Sequence, residues 1–458
     1  MHESWAGAGP GEWSLLGGWL TWTPQILAIV VLLAAAGWRD RRWRMLWLPV
    51  ATGIAALAAM ITALVVHDSG LTNDPIPAAV WVWVALVFFS LAVVVFGWRG
   101  ARWWRRGAGV SGIALCMVCI AVVVNQWVGY LPNVHTAWAN VTNQPVHHQV
   151  TLSQLHSIRE MPSTGQIVPV TIPDVVSHFA HRTEYVYLPP VWFRGPGHPR
   201  LPVLEMVGAE FHKPADWIRT GRAATTADAY ASRHHGYAPI MVFVDADGSF
   251  RVDTECVDGA RGNAASHLTE DIPPYIARTF GASTDPRAWG IVGWSMGGTC
   301  AVDLAVKRPD RFDTFEDISG DLGPNIGDRE QTIAELYAGH TAAWAKNDPL
   351  TVLAHQHRYP WTAGWFEDAT QHGKHGLAVR FADELSRAAR KDGIATTVVV
   401  KPGHHDWQFG AKAFVDALPW LARRLAEPTT GGMPYTHRHA ADGRPVRPVS
   451  MSRGTLPG

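Results

Sequence analysis

Trp289-Gly-Ile-Val-Gly-Trp-Ser-Met-Gly-Gly298 is the stretch on which the fold turns. An apolar run leads into Gly293, Ser295 and Gly297, spaced as GxSxG, and a helix-forming run follows to Lys307. A strand, a sharp turn and a helix in that order lift a serine hydroxyl out at the end of a sheet, beside a helix N-terminus. Glycines on either side keep Cβ atoms out of a crowded turn. Ser295 is therefore read as a nucleophile. The plainer reading is an ordinary Gly-rich strand–helix turn.

Outward from this stretch, short apolar runs alternate with helical ones. Strands are expected at 167–172, 183–188, 203–207, 239–244, 289–293, 314–318, 361–367 and 396–400. Helices are expected at 225–233, 267–279, 297–307, 332–340, 377–392 and 411–425. Such alternation predicts an α/β fold with a mainly parallel sheet.

A serine hydroxyl needs a base to take its proton. Beyond the last expected strand comes Lys401-Pro-Gly-His-His-Asp-Trp407, which offers His405, with His404 as the alternative. The acid of a Ser–acid–His order belongs after the preceding strand. There Trp365-Phe-Glu-Asp-Ala-Thr-Gln-His372 supplies Asp368 and Glu367. Asp383 and Glu384, on the next helix, stay open as alternatives. A tetrahedral oxyanion needs two N–H donors. Met296, after the nucleophile, and Ala209, after the strand ending at Val207, are the candidates. Gly208 allows the turn between them.

With these pieces quoted, the domain resembles the esterase family of α/β-hydrolases that holds esterase D-type enzymes and the secreted mycolyltransferases of mycobacteria. The resemblance runs over about 168–425. Its carrying segments are Leu204-Glu-Met-Val-Gly-Ala209, Asp216-Trp217, His267-Leu-Thr-Glu-Asp-Ile-Pro-Pro274, Gly293-Trp-Ser-Met-Gly-Gly298 and His405-Asp-Trp407. It implies an α/β-hydrolase fold and an acyl-enzyme mechanism. The H-x-W match favours His405 as base, and the same match makes Ala209 and Met296 the oxyanion donors. For the acid it implies either an Asp after the strand, matching Asp368, or a Glu on a helix, closest to Asp383 or Glu384.

Composition points to a second, different part. Charged residues are 17% of the 458, hydrophobic ones 47%, and there are 23 Trp. Those values exclude a disordered chain and a highly charged nucleic-acid binder. Four apolar runs, 15–38, 45–66, 78–98 and 107–128, approach or exceed the roughly 20 residues that cross a bilayer as a helix. The loops at 39–44 and 98–106 hold four Arg each. By the positive-inside rule both are cytoplasmic, which puts the N-terminus and everything after 128 outside the plasma membrane. The spans contain no Asp, Glu or Lys, which argues against an ion pathway. The expected organisation is a four-helix transmembrane module at 1–128, a linker at 129–149, an α/β-hydrolase domain at 150–426 and a disordered tail at 427–458.

Cys256 and Cys300 are the two cysteines outside the spans. In an oxidising compartment they are expected to pair. No motif calls for a metal, cofactor or nucleic acid, and the oligomeric state is not legible. Two functions compete. One is a membrane-anchored, extracytoplasmic serine esterase or acyltransferase acting on ester- or acyl-lipid substrates of the envelope. The other is a catalytically silent binding protein that kept the fold.

Overall fold

The computed structural model describes residues 12–425 apart from 38, 69–74, 196, 356–358, 360, 372 and 373. The expected tail at 427–458 lies outside the described residues.

Four long helices come first: α1 (Trp19–Ala36), α2 (Leu48–Asp68, entered through a π turn at Trp43–Trp47), α3 (Ala78–Gly97) and α4 (Trp103–Val128). All four are long and apolar enough to cross a membrane. Small residues decide how they meet. A Cβ on Gly109 would lie 2.5 Å from Val94 Cγ2, and one on Gly112 would lie 2.9 Å from Ser90 Oγ. The glycines thus let α3 and α4 touch closely, and the Ser90 hydroxyl donates to the Gly109 carbonyl at 2.9 Å across the contact. Cys116 and Cys119 are fully buried in the adjoining seam with Ala28, Leu32 and Trp83. The outward faces stay apolar, with Leu33, Leu64 and Val95 exposed by 69, 61 and 62%. At the Arg-bearing end, Arg39 donates to the carbonyls of Ala35 and Gly97 and lies 4.0 Å over the Trp43 ring.

Residues 129–149 hold a short helix, α5 (Val134–Val141), whose first turn is capped by the Asn133 side chain accepting from Thr136 N–H. Arg219, further along the chain, reaches back to Asn140 Oδ1 at 2.9 Å and to the Gln144 carbonyl.

The second part begins with the short α6 (Leu152–Leu155), β1 (Gln166–Val170), β2 (Glu184–Leu188) and β3 (Val203–Val207). Next come α7 (Pro214–Arg219), α8 (Ala223–Arg233), β4 (Ile240–Val244), and a small β5–β6 hairpin (Asp258–Gly259, Gly262–Asn263). Helices α9 (Ala264–Ser266) and α10 (Ile272–Phe280) lead into β7 (Trp289–Trp294), α11 (Met296–Lys307) and β8 (Thr314–Ile318). Three helices follow: α12 (Arg329–Tyr337), α13 (Thr341–Ala345) and α14 (Pro349–His355). The chain then runs through β9 (Ala363–Gln371), β10 (Lys374–His375), α15 (Leu377–Lys391), β11 (Ala395–Pro402) and α16 (Trp407–Arg424).

All eight expected strands form, within a few residues of their expected limits. The helix expected at 332–340 starts three residues earlier, because Asp328 and Gln331 close a capping box there.

The main sheet runs β1-β2-β4-β3-β7-β8-β9, with β11 also on β9. From β4 through β11 these strands are parallel, while β1 and β2 are antiparallel additions at one edge. Strands β3, β4, β7 and β8 are buried along their whole length. Helices cover both faces, which is why these strands read as unbroken apolar runs instead of alternating ones. One face packs on α10, α11 and α15. The other packs on α7, α8 and α16. This is the mainly parallel α/β architecture expected. Its carboxyl edge collects the loops after β3, β7, β8, β9 and β11, where open α/β sheets place their ligands.

Candidate active site

Ser295 sits at φ 59°, ψ −124°, between β7 and α11. For a side chain other than glycine this is strained backbone. It is held there by contacts on all sides. Ser295 N–H donates to the Ile318 carbonyl at 2.8 Å, and the Ser295 carbonyl accepts from Gly298 N–H at 2.8 Å. A Cβ on Gly293 would lie 1.7 Å from the Gly297 carbonyl oxygen, so strand and helix cross closer than any other residue allows. Ser295 itself is half-buried, between the buried Trp294 and Met296.

The same packing presses the β3–α7 turn against the elbow. A Cβ on Gly297 would lie 2.4 Å from the Val207 carbonyl oxygen and 2.6 Å from that of Gly208. Met296 and Ala209, the two candidate donors, are thus carried by loops in direct contact. Trp217 Nε1–H donates to the Val207 carbonyl at 2.8 Å and pins the start of the turn. Phe211, two residues past Ala209, sits at φ 63°.

His212 holds the far side of this turn. Its Nε2 faces Trp407 Nε1 at 2.8 Å, and its Nδ1 faces the Glu210 carbonyl at 2.6 Å. An indole nitrogen can only donate, so Nε2 accepts and the proton is on Nδ1. Burial holds the His212 pKa below the usual value, in keeping with this neutral form. The Arg182 guanidinium adds a bond to the His212 carbonyl at 2.8 Å while pairing with the buried Asp245. Burial, then Asp253, pushes the Glu210 carboxyl up to about 8.

His405 is half-buried and His404 exposed. The His405 ring meets Trp294 edge-on, with centroids 5.1 Å apart. It therefore packs beside the residue that precedes Ser295. Asp406 caps α16 by accepting from Phe409 N–H at 2.8 Å, which starts that helix at the buried Trp407.

The carboxylates separate by face. Ile318 pairs with Glu367, and Val400 with Asp368. Ser295, Ser319 and Asp368 therefore fall on one row across the carboxyl edge, one step beyond the Trp294–Ile318–Glu367 row. Two strand spacings put the first and last about 10 Å apart at Cα, a gap that an imidazole can bridge. Asp368 is 2% exposed, and its Oδ1 accepts no hydrogen bond from the described residues. Burial, with Asp317, Asp383 and Glu367 around it, pushes this carboxyl up to about 8. Glu367 points the other way. It pairs with Lys401 Nζ at 3.0 Å and accepts from Trp365 Nε1 at 3.0 Å. Asp383 and Glu384 lie exposed on α15; Asp383 is among the charges around Asp368.

Cys256 and Cys300 are joined by a disulfide, with Cα atoms 5.6 Å apart. It ties the segment after β4 to α11, five residues past Ser295. By loop-closure entropy, cross-linking residues 44 apart contributes about 4 kcal/mol. Both thiols are expected to resist alkylation until reduced, and the Cys256→Ser/Cys300→Ser double variant to melt several degrees lower. Ready alkylation of the unreduced protein, followed by mass spectrometry, would contradict this.

Among the described residues, one group has the makings of a metal centre. Candidate ligand atoms of His181, Glu184 and His267 lie within 4.8 Å of one another. The donor chemistry does not fit. His181 Nδ1 faces the Arg182 carbonyl at 2.9 Å and Nε2 the Ile172 carbonyl at 2.7 Å. Both nitrogens are already engaged with backbone carbonyls, so neither is turned toward a shared ion.

Sequence reasoning did not find His212, Arg182, Asp245 or Ser319. Each acts through a partner distant in the chain, and none belongs to a motif. Only Trp407 hinted at one of them, since a conspicuous tryptophan near the base needs something for its N–H.

Against known proteins, the family model described as Putative esterase matches residues 180–421, more than half of the chain. A Corynebacterium glutamicum protein described as uncharacterized is 28% identical over 410 residues, covering 86% of this chain and 92% of its own. That span exceeds what residues 129–458 contain, so the likeness reaches into the helical N-terminal part. An S-formylglutathione hydrolase of Paracoccus denitrificans is 26% identical over 166 residues, covering 35% of this chain and 56% of its own. Among solved structures, an S-formylglutathione hydrolase from Agrobacterium tumefaciens aligns with a TM-score of 0.47 at 20% identity, over 59% of this chain and 99% of its own.

Proposed function

The chain belongs to the Putative esterase family, and from that premise we propose that it is a membrane-anchored serine esterase or acyltransferase whose catalytic domain faces outward. The observation that carries the reading is the strained Ser295 on its elbow, with the Ala209 turn packed against Gly297.

In this mechanism Ser295 Oγ attacks an ester carbonyl while His405 takes its proton. Met296 and Ala209 N–H groups receive the developing oxyanion, each donor contributing roughly 3 kcal/mol to the transition state. His405 returns the proton to the leaving alcohol, and an acyl-enzyme remains. Water or a second hydroxyl then attacks that acyl group, with His405 again as base. Asp368 orients the imidazole; its pKa, raised in the resting site, falls when an imidazolium forms beside it, so that the carboxylate balances the cation.

The exposed Phe250 ring, packed on Phe211 at 5.5 Å beside the oxyanion turn, favours an apolar acyl group. A domain tethered by four membrane-spanning helices meets lipid-linked esters at its own level. The four-Arg loops at the opposite end of the helices favour the outward orientation.

Fluorophosphonate labelling of intact cells tests this reading. A membrane-impermeant probe is expected to label the wild type and not Ser295→Ala. Labelling only after lysis would reverse the orientation. A folded wild type that resists the probe in both states would favour the silent binding protein.

A further inference from the structure

The last of the four apolar helices runs straight into the candidate catalytic machinery. Helix α4 ends at Gly129, at φ 71°, whose N–H closes on the Asn125 carbonyl. The Gly129 carbonyl accepts from Gln408 Nε2 at 2.9 Å, and Gln408 is the neighbour of Trp407 on α16. Tyr130 comes next. Its ring meets His212 edge-on, with centroids 5.2 Å apart. Its hydroxyl faces both carboxylate oxygens of the fully buried Asp216 at 3.0 Å. Its carbonyl accepts from Thr220 Oγ1 at 2.9 Å.

Asp216 also accepts from Lys213 N–H at 2.7 Å, at the start of α7. Tyr130 therefore touches both ends of segment 212–216, which closes the turn that carries Ala209. The segment has a firm base. Asn125 side-chain atoms bond Leu131 N–H and carbonyl, and Leu15 N–H donates to the Pro132 carbonyl. The chain leaving α4 is thereby tied to the chain entering α1.

We propose that this exit segment positions the oxyanion turn, with Tyr130 as the positioning residue, so that the packing of the membrane module sets the turnover rate of the outer domain. The inference rests on Ala209 and Met296 being the oxyanion donors. The physical reason is that an oxyanion hole works only within a few tenths of an ångström of its geometry, and His212 is the part of the turn that Tyr130 contacts. A displaced donor weakens transition-state binding more than substrate binding. The loss should fall on kcat, with KM little changed.

The test uses the full-length protein in lipid nanodiscs, with p-nitrophenyl butyrate as substrate and a fluorophosphonate as a second readout. Tyr130→Ala is expected to lower kcat about 10- to 100-fold, with KM within about threefold, and to slow labelling in parallel. Tyr130→Phe keeps the ring on His212 and loses only the bonds to Asp216. It should fold normally and lose about three- to tenfold in kcat. Where Tyr130→Ala fails to fold, Tyr130→Phe decides alone. Wild-type kcat in the variants that fold, or a loss confined to KM or to melting temperature, overturns the proposal. A wild type inert to the fluorophosphonate overturns the catalytic reading itself. A labelled wild type with unaffected Tyr130 variants sinks only the positioning role.

Discussion

Replacing His405 with alanine is expected to lower turnover by about 10⁵- to 10⁶-fold, the scale seen when a triad base is lost. Replacing its neighbour His404 should leave turnover within about tenfold. The two side chains are adjacent in sequence but differ in setting. His404 is exposed, whereas His405 is half-buried against Trp294, whose backbone runs directly into Ser295. A half-buried ring packed beside the nucleophile strand can keep one nitrogen toward a serine hydroxyl. Steady-state kinetics on a chromogenic ester, with Ser295→Ala as the floor, measures both. Equal losses from the two histidines, or a larger loss at His404, would move the base to His404.

The second large effect separates the two carboxylates on β9. Asp368→Asn is expected to lower kcat by about 10³- to 10⁴-fold, because an amide cannot orient and charge-match an imidazolium. The same change should raise thermal stability, increasingly so at higher pH. The sign follows from the raised pKa. Below about 4 the carboxyl is protonated whether the chain is folded or not. Between there and about 8 the unfolded chain releases the proton and the native state keeps it, so native stability falls as pH rises. Asparagine removes that penalty.

Glu367→Gln is expected to spare catalysis: it breaks the 3.0 Å pair with Lys401 and leaves kcat within about tenfold. Melting curves at pH 5 and pH 8.5, run beside the kinetics, test both halves. A catalytic loss at Glu367, or at Asp383, with Asp368→Asn active would reassign the acid.

The disagreement between these carboxylates shows how far the chain could be read without its fold. Glu367 and Asp368 are adjacent and chemically alike, and the one-dimensional pattern places both after the right strand. A β-strand turns successive side chains to opposite faces. Which face holds α16 and Lys401, and which holds Ser319, follows from how the helices cover the sheet. The same holds for Asp383 on α15, whose charge reaches Asp368 only through the fold.

The local features were legible because their causes are local. Gly293 and Gly297 are needed within a few residues of Ser295. Buried parallel strands need continuous apolar runs. Membrane-length helices need about 20 apolar residues and announce themselves by that alone. What the tertiary structure decided is the set of contacts between distant segments. These are Trp407 with His212, Arg182 with Asp245, Gly297 with the Val207–Gly208 turn, and Tyr130 with Asp216. The most consequential is the last. Residues 129–149 carry no hydrophobic period and read as a spacer, because the residues that engage Gly129 and Tyr130 lie about 80 to 280 positions further on. A hydrogen bond between such partners leaves no periodic trace in either segment, so only the folded chain brings the membrane exit and the oxyanion turn together.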